Sequence, residues 1–153
     1  MFKKIYKLLG LTCKKKMLLL EALLLTGAVR FAILFIPFNK IVKIFGRYSK
    51  ESPEIVSGKE KDIAQKIVWA VLAVSKHTPW ESRCLVRALT MQIMLNARNV
   101  SSTLYLGIAK DKEKKLIAHA WLRSGTNIIT GGDERSSFIQ VAKFANYAGR
   151  ERI

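Results

Sequence analysis

One cysteine and one histidine are the best candidates for chemistry in this chain. Cys84 lies in the apolar stretch Trp80-Glu-Ser-Arg-Cys-Leu-Val-Arg-Ala-Leu, and His119 lies in the strand-like run Leu116-Ile-Ala-His-Ala-Trp-Leu. A thiol at the start of a buried helix and an imidazole on a later strand are the two halves of a nucleophile and its general base. The pair predicts a thiol enzyme. The alternative is a small buried core residue and an unrelated polar residue in a sheet.

The residues before Cys84 carry the signals of a helix start. Thr78 fits an N-cap, Pro79 the first helical position and Glu81 a capping box. Ser82 is an alternative cap, which would place Cys84 in the first turn of the helix instead of the second. In either case the positive end of the helix lies near the thiol and favours the reactive thiolate.

Alternation along the predicted strand puts His119 and Trp121 on the same face. An indole beside an imidazole can shield a site from water and stack on a substrate, although an aromatic residue in a strand is also typical of a core. Trp121, together with Trp80 just before the cysteine helix, is therefore a candidate substrate-binding residue.

A resemblance to a known family rests on three motifs in order: Cys84-Leu-Val-Arg-Ala-Leu, Thr103-Leu-Tyr-Leu-Gly-Ile and His119-Ala-Trp-Leu. In this order and spacing they resemble the transglutaminase-like leader peptidases of lasso-peptide biosynthesis, over roughly Ser57 to Phe144. The resemblance implies a cysteine protease that removes the leader region of a ribosomally made precursor peptide. It also implies two partner proteins, a small helper that binds the leader and an ATP-dependent lasso cyclase that closes the ring.

The third catalytic member of that family, an Asp beyond the His, has no direct match. The corresponding position, twelve residues after His119, is Gly131. If the hairpin turn is Ser124-Gly125, His119 lies opposite Thr130, whose hydroxyl could orient the imidazole ring.

Two other residues could take that place. Asp133 reaches back toward the histidine if the double glycine before it bends the strand, and Asn127 is a weaker choice because it belongs to the turn. Asp133 is therefore predicted as the third catalytic residue, with Thr130 and Asn127 left open. No cofactor and no metal are expected, because the chain has no CxxC pair and only two histidines.

The predicted chemistry is acyl transfer to water through a thioester on the cysteine, with the histidine moving the proton. A transglutaminase-type acyltransferase uses the same residues with an amine as acceptor, and it stays open as an alternative function. A second alternative is a non-catalytic basic module that binds a membrane surface or nucleic acid.

The charge balance is strongly basic, with 27 Lys and Arg against 11 Asp and Glu and a net charge of +16. Such a field attracts acidic peptides, anionic lipid surfaces or nucleic acid. Near the N-terminus the lysines interleave with large aliphatic residues, as in Phe2-Lys-Lys-Ile-Tyr-Lys-Leu-Leu. That pattern is typical of a basic amphipathic helix and not of a nucleic-acid-binding surface. It predicts peripheral membrane contact and no nucleic-acid partner, the alternative being solvated lysines on a helix that covers the core.

The segment Met17 to Ile36 is almost entirely apolar and about long enough to span a bilayer. Glu21 and Arg30 interrupt it, which favours a buried or interface-lying helical hairpin over a spanning helix. Thr26-Gly27 is expected to break it into two helices, and Pro37 to end the second.

These elements predict an α+β fold. A helical, basic N-terminal part (1–48) precedes a transglutaminase/papain-like cysteine peptidase core (49–153), and the two form one compact unit. A capped helix begins near Ser57, the catalytic helix follows, and it packs on an antiparallel sheet. The strands are expected near Ser101–Ala109, Leu116–Arg123 and Asn127–Thr130, with a last strand or short helix at Ser137–Phe144. Two cysteines in such different segments indicate reduced thiols and a cytoplasmic protein.

Overall fold

Helices fill the first part of the chain and strands most of the rest. A computed structural model describes residues 10–149 of the 153, so the predicted basic segment at residues 2–9 lies outside the described residues. The helices are α1 (Cys13–Phe35), α2 (Phe38–Ile41), α3 (Gly58–Ser75) and α4 (Cys84–Ala97), with 3-10 turns at Val42–Phe45 and Arg135–Ser137. The strands are β1 (Arg47–Tyr48), β2 (Ser102–Lys110), β3 (Leu116–Ser124), β4 (Asn127–Thr130) and β5 (Ile139–Asn146).

Helix α1 is continuous, so the predicted break at Thr26-Gly27 is wrong. The Thr26 hydroxyl donates to the Leu23 carbonyl at 2.9 Å, inside the helix. Gly27 faces the ring of Trp80 so closely that a Cβ there would lie 3.1 Å from the indole. Tertiary packing therefore outweighs the low helix propensity of the two residues. The helix does end just before Pro37, as predicted.

Glu21 and Arg30, which interrupt the apolar part of α1, both bond to residues outside the helix. Glu21 accepts two hydrogen bonds from Arg98, at 2.9 and 2.5 Å, and Arg30 donates to Glu81 at 3.0 Å. The hydrogen bonds to Glu21 raise the pKa of Arg98 above its ordinary value. By length and composition α1 could cross a membrane. The charges of Glu21 and Arg30, however, are used within the fold.

Helix α3 begins with the capping box that the sequence predicts. The Ser57 hydroxyl accepts from the Glu60 backbone at 3.2 Å, and the Glu60 carboxylate accepts from the Ser57 backbone at 2.7 Å. Two backbone donors that have no partner within the helix are thereby satisfied.

The five described strands form one antiparallel sheet in the order β1-β5-β2-β3-β4. One face packs on the helices and forms the core together with the inner sides of α1, α3 and α4. The residues of this helix-facing side include Leu104, Ala120, Leu122 and Phe144. The chain therefore has the predicted α+β architecture, with α4 packed on an antiparallel sheet. Ala22 and Phe45, from the predicted N-terminal part, belong to the same core.

The other face of the sheet is covered by the loop 49–57 and by the segment 131–138. Arg123 anchors the first of these, because its guanidinium donates to the Ser52 carbonyl at 2.8 Å and to the Tyr105 hydroxyl at 3.0 Å. It also donates to the Gly125 carbonyl in the hairpin turn. We call this the loop-covered side.

The β3–β4 hairpin differs from the predicted register. Its turn is Gly125-Thr126, since Ser124 pairs with Asn127 and a bulge follows between Leu122 and Arg123. Gly125 has a φ of +59°, the left-handed conformation that tight hairpin turns require and that glycine adopts without strain. Thr130 consequently lies opposite Leu122 and not opposite His119.

Candidate active site

Cys84 is the first residue of helix α4. The N-cap is Arg83, which makes no side-chain capping bond, and the first bond of the helix runs from the Arg87 N–H to the Arg83 carbonyl at 3.0 Å. The backbone N–H groups at the start of such a helix have no acceptor within it. A partly exposed thiol therefore lies beside uncapped backbone donors at the positive end of a core helix.

The predicted helix start at Thr78 is wrong, and the alternative start at Ser82 lies closer to the true one. Residues 78–83 are not helical. The Thr78 hydroxyl bonds to the Trp80 carbonyl at 3.0 Å and to the Ser82 hydroxyl at 2.9 Å, and so stabilises a loop. The Thr78 hydroxyl forms its hydrogen bonds within this loop and therefore does not cap the helix.

A cavity of about 690 Å³ adjoins Cys84. Its wall is almost wholly apolar. Helix α4 contributes Cys84 and Leu85, and the short segment after α1 contributes Phe38 and Lys43. The sheet contributes Leu106, Gly107, Ile108, Ala118, His119, Ala120, Val141, Ala142 and Phe144, and strand β1 and the residue before it add Tyr48 and Gly46. An extended peptide with apolar side chains fits such a wall better than a charged one.

His119 lies on β3, in the strand that the sequence predicts, and its ring is enclosed on the loop-covered side. Its Nε2 is 2.9 Å from the Gly131 carbonyl oxygen, and its Nδ1 is 4.0 Å from a carboxylate oxygen of Glu134. The ring stacks on Phe138 at 4.9 Å and on Trp121 at 6.1 Å between centroids. With only 9% of its surface exposed, the imidazole is held firmly by these neighbours.

Cys84 and His119 line the same cavity, but their side chains belong to opposite sides of the sheet. Cys84 packs against the core on the helix-facing side. His119 pairs with Gly107, and a Cβ on Gly107 would lie 2.8 Å from the Trp121 ring and 3.0 Å from Phe138, on the loop-covered side. Among residues 10–149 no hydrogen bond joins the thiol to the imidazole. The described arrangement is therefore not that of a formed Cys-His pair.

The residues predicted for the third catalytic position lie at different places. Asp133 is exposed in the turn after β4, and among residues 10–149 its carboxylate forms no hydrogen bond or ion pair with His119. Thr130 pairs with Leu122, and Asn127 pairs with Ser124. The carboxylate that does approach the ring belongs to Glu134, which the sequence analysis missed. The sequence does contain an indication of this residue, since Glu134 directly follows Asp133 in a segment that was expected to bend back toward the histidine.

A model of the transglutaminase-like superfamily matches residues 27–143, which include Cys84 and His119. The chain belongs to the transglutaminase-like superfamily. This superfamily includes cysteine peptidases and acyltransferases. No curated protein and no solved structure matches the chain.

Membership of this superfamily gives the cysteine helix its significance. Superfamily members are usually enzymes of the cysteine-protease type. A thiol at the first position of a core helix, open to a cavity, is the environment in which a cysteine acts as a nucleophile. One turn further along α4, the Nε of Arg87 is buried and bonds to no group in the described protein.

The two tryptophans predicted to bind substrate lie elsewhere. Trp80 packs on Gly27 of α1 and does not line the Cys84 cavity. Trp121 is buried on the loop-covered side, where it stacks on Tyr105 at 5.7 Å. Their substrate-binding role stays a prediction. Within residues 10–149, no group of three His, Cys, Asp or Glu side chains could hold a metal ion.

Proposed function

We propose that this protein is a cytoplasmic cysteine peptidase that removes the leader from a ribosomally made precursor peptide during lasso-peptide maturation. The observation that carries the proposal is the position of Cys84. In a chain of the transglutaminase-like superfamily, this thiol begins the core helix and opens into an apolar cavity. Cys13 and Cys84 are both free, in agreement with a reducing compartment.

The proposed reaction is a two-step acyl transfer. The Cys84 thiolate attacks the carbonyl of the scissile leader–core bond, and the uncapped N–H groups of the first turn of α4 hold the developing oxyanion. His119 takes the thiol proton and passes it to the departing amine, and water then hydrolyses the thioester. The cut frees the amino end of the core peptide.

Catalysis by this pair requires His119 to move to the helix-facing side of the sheet. The part of β3 that carries it pairs with β2 alone, because β4 reaches only as far as Leu122. Ile117 and Ala118, just before the histidine, are exposed. We propose that binding of the precursor and helper rearranges this end of β3, breaks the bond to the Gly131 carbonyl and brings the imidazole to the thiol. Glu134 or the predicted Asp133 then supports the charged ring.

The proposed partners follow from the same assignment. They are the leader region of the precursor, a small leader-binding helper protein and the ATP-dependent lasso cyclase that uses the product. The net charge of +16 favours an acidic leader, because long-range attraction raises the rate of encounter.

Cleavage of the precursor by the purified protein and its helper tests the proposal. We expect Cys84→Ala and His119→Ala to abolish cutting, and Cys13→Ala to leave it unchanged as the matched cysteine control. Precursor cut at an undiminished rate by the Cys84→Ala protein would end the peptidase assignment.

A cross-linking experiment tests the movement of His119 separately. In a Cys13→Ser background, His119→Cys can form a disulfide with Cys84 only if the two Cα atoms come within about 7 Å. We expect peptide mapping after mild oxidation to find this disulfide when precursor and helper are present. Its absence in both states, with a wild-type protein that cleaves, would show that another base serves Cys84.

The placement of Cys84 and His119 on opposite sides of the sheet favours a second candidate, a basic module without catalysis. Such a module would bind the precursor or a surface and cut nothing. The acyltransferase alternative needs an amine acceptor. Mass spectrometry of the product separates the three outcomes, because it distinguishes a free leader carboxylate, an amide and an uncut peptide.

A further inference from the structure

Helix α1 exposes a continuous apolar stripe to solvent. The stripe consists of large side chains that recur at helical spacing along one side of the helix: Met17, Leu20, Leu24, Phe31, Leu34 and Phe35. Between its first and last members it measures about 27 Å at the rise of an α-helix. Leu24 is 64% exposed and Phe31 is 62% exposed, so nothing in the described protein covers the stripe.

The charged residues of α1 and its neighbours leave this stripe uninterrupted. Glu21 and Arg30, which interrupt the apolar sequence, are partly exposed and bond to Arg98 and Glu81 in the body of the protein. The outer side of the helix is thus free of charge along the stripe. At its two ends stand exposed lysines: Lys14 before it, and Lys40 and Lys43 after it. An apolar surface with cations at both ends complements a layer of anionic headgroups over hydrocarbon.

We propose that α1 lies flat on an anionic lipid surface, with the stripe among the acyl chains and the lysines among the headgroups. A spanning position conflicts with the fold, because Ala22, Thr26 and Val29 are buried against the body of the protein. Crossing the bilayer would uncover this inner side and break both ion pairs, whereas lying in the interface leaves them intact.

The lipid surface would also adjoin the Cys84 cavity. Phe38 and Lys43, which follow the stripe, are exposed and line that cavity as well. Peptides that gather at the membrane would therefore reach the thiol from the lipid side. The docking surface itself does not depend on the peptidase assignment.

Vesicle sedimentation tests the docking surface. We expect the full-length protein to sediment with phosphatidylcholine vesicles that contain phosphatidylglycerol, and to be released from them at high salt. Pure phosphatidylcholine vesicles should bind it far less. Leu24→Gln combined with Phe31→Gln should weaken binding roughly tenfold or more, since two exposed apolar side chains lose their hydrocarbon contact. Lys14→Gln should weaken it about fivefold.

Two matched controls lie in the loop 49–57, on the far side of the sheet. Ile55 is 92% exposed, and Lys50 is also exposed. Ile55→Gln is the control for the apolar substitutions and Lys50→Gln the control for Lys14→Gln, and both control variants should bind like wild type. If the double variant does not fold by circular dichroism, Leu24→Gln alone replaces it. Failure of the wild-type protein to bind anionic vesicles, or equal binding by stripe and control variants, overturns the proposal. If such a failure is accompanied by dimers that the stripe variant abolishes, the stripe belongs to a second copy of the chain.

Discussion

The two sides of the sheet are built from different interactions. The helix-facing side is apolar and closely packed, and it leaves a cavity beside Cys84. The loop-covered side combines an aromatic stack with a buried polar network around Arg123. The thiol of Cys84 lies on the first side, and the imidazole of His119 lies on the second, stacked on Phe138 and Trp121.

The two kinds of interaction affect the thiol and the imidazole differently. Apolar packing is non-directional and tolerates an open space next to a thiol, whereas directional hydrogen bonds and stacked rings fix a side chain in one orientation. The thiol is therefore accessible, and the imidazole is held. A change on one side should therefore leave the other largely intact.

The largest effect is expected at Arg123. Arg123→Met keeps the apolar stem but leaves the Ser52 and Gly125 carbonyls and the Tyr105 hydroxyl without their donor. Urea denaturation should show a loss of about 3 kcal/mol in the free energy of unfolding. The exposed Arg135 supplies the control, because Arg135→Met removes an equal charge where nothing is buried. Equal losses for both variants would contradict a stabilising role for the hydrogen bonds of Arg123.

A smaller loss is expected at Gly107, on the border between the two sides. An alanine Cβ there would lie 2.8 Å from the Trp121 ring and 3.0 Å from Phe138. Thermal unfolding of Gly107→Ala should reveal a destabilisation of about 1–3 kcal/mol from overpacking. Gly58→Ala is the matched control, since no atom lies within 4 Å of its added Cβ. A Gly107→Ala protein as stable as wild type would show that Trp121 and Phe138 move aside for the added methyl group at little cost in free energy.

Glu51 gives the loop-covered side a modest pH dependence. A hydrogen bond from Lys143, and a further one from Tyr105, keep the pKa of Glu51 below its ordinary value against the opposing effect of partial burial. Because the folded-state pKa is the lower one, the stabilisation is complete above the ordinary value of about 4.3 and is lost as the pH falls through the folded-state value. The Glu51 side chain is 44% exposed. The effect on unfolding should therefore stay below about 1 kcal/mol.

The measurement is a series of urea denaturations between neutral and acidic pH. Glu51→Gln should flatten the acid-side decline of stability relative to wild type. An unchanged decline would assign it to other carboxylates.

The smallest effect is expected for the influence of His119 on the free thiol. In a Cys13→Ser background without precursor, His119→Asn should leave the rate of Cys84 alkylation by iodoacetamide unchanged, since the two side chains lie on opposite sides of the sheet. Iodoacetamide labelling followed by mass spectrometry gives the rate. A large decrease would reveal that the imidazole already assists the thiol in the free protein.

Patterns of local spacing predicted much of the fold. The capping box at Ser57, the strand that carries His119 and the helix end before Pro37 all depend on neighbours in sequence, and all three are confirmed. The predicted break within α1 and the predicted start of α4 at Thr78 are wrong. Thr26-Gly27 does not break α1 because Trp80, more than fifty residues away, packs on the glycine.

The site was predicted less well, for a physical reason. Alternation along β3 groups His119 with Trp121, but it does not tell which of the two sides of the sheet the helices cover. The bulge beside Leu122 then shifts the hairpin register, so that the backbone at Gly131 and the carboxylate of Glu134 approach the ring. Bulges and backbone acceptors leave almost no trace in residue types.

The ion pairs that join α1 to the body of the protein affect how the purified protein behaves. Neither Glu21 nor Arg30 interrupts the outer stripe, so the stripe stays exposed to water in a buffer without lipid. The purified protein should therefore adsorb to hydrophobic resins and require mild detergent. Polar substitutions confined to the stripe would give a better-behaved protein for crystallisation, since those side chains have few interior contacts to lose.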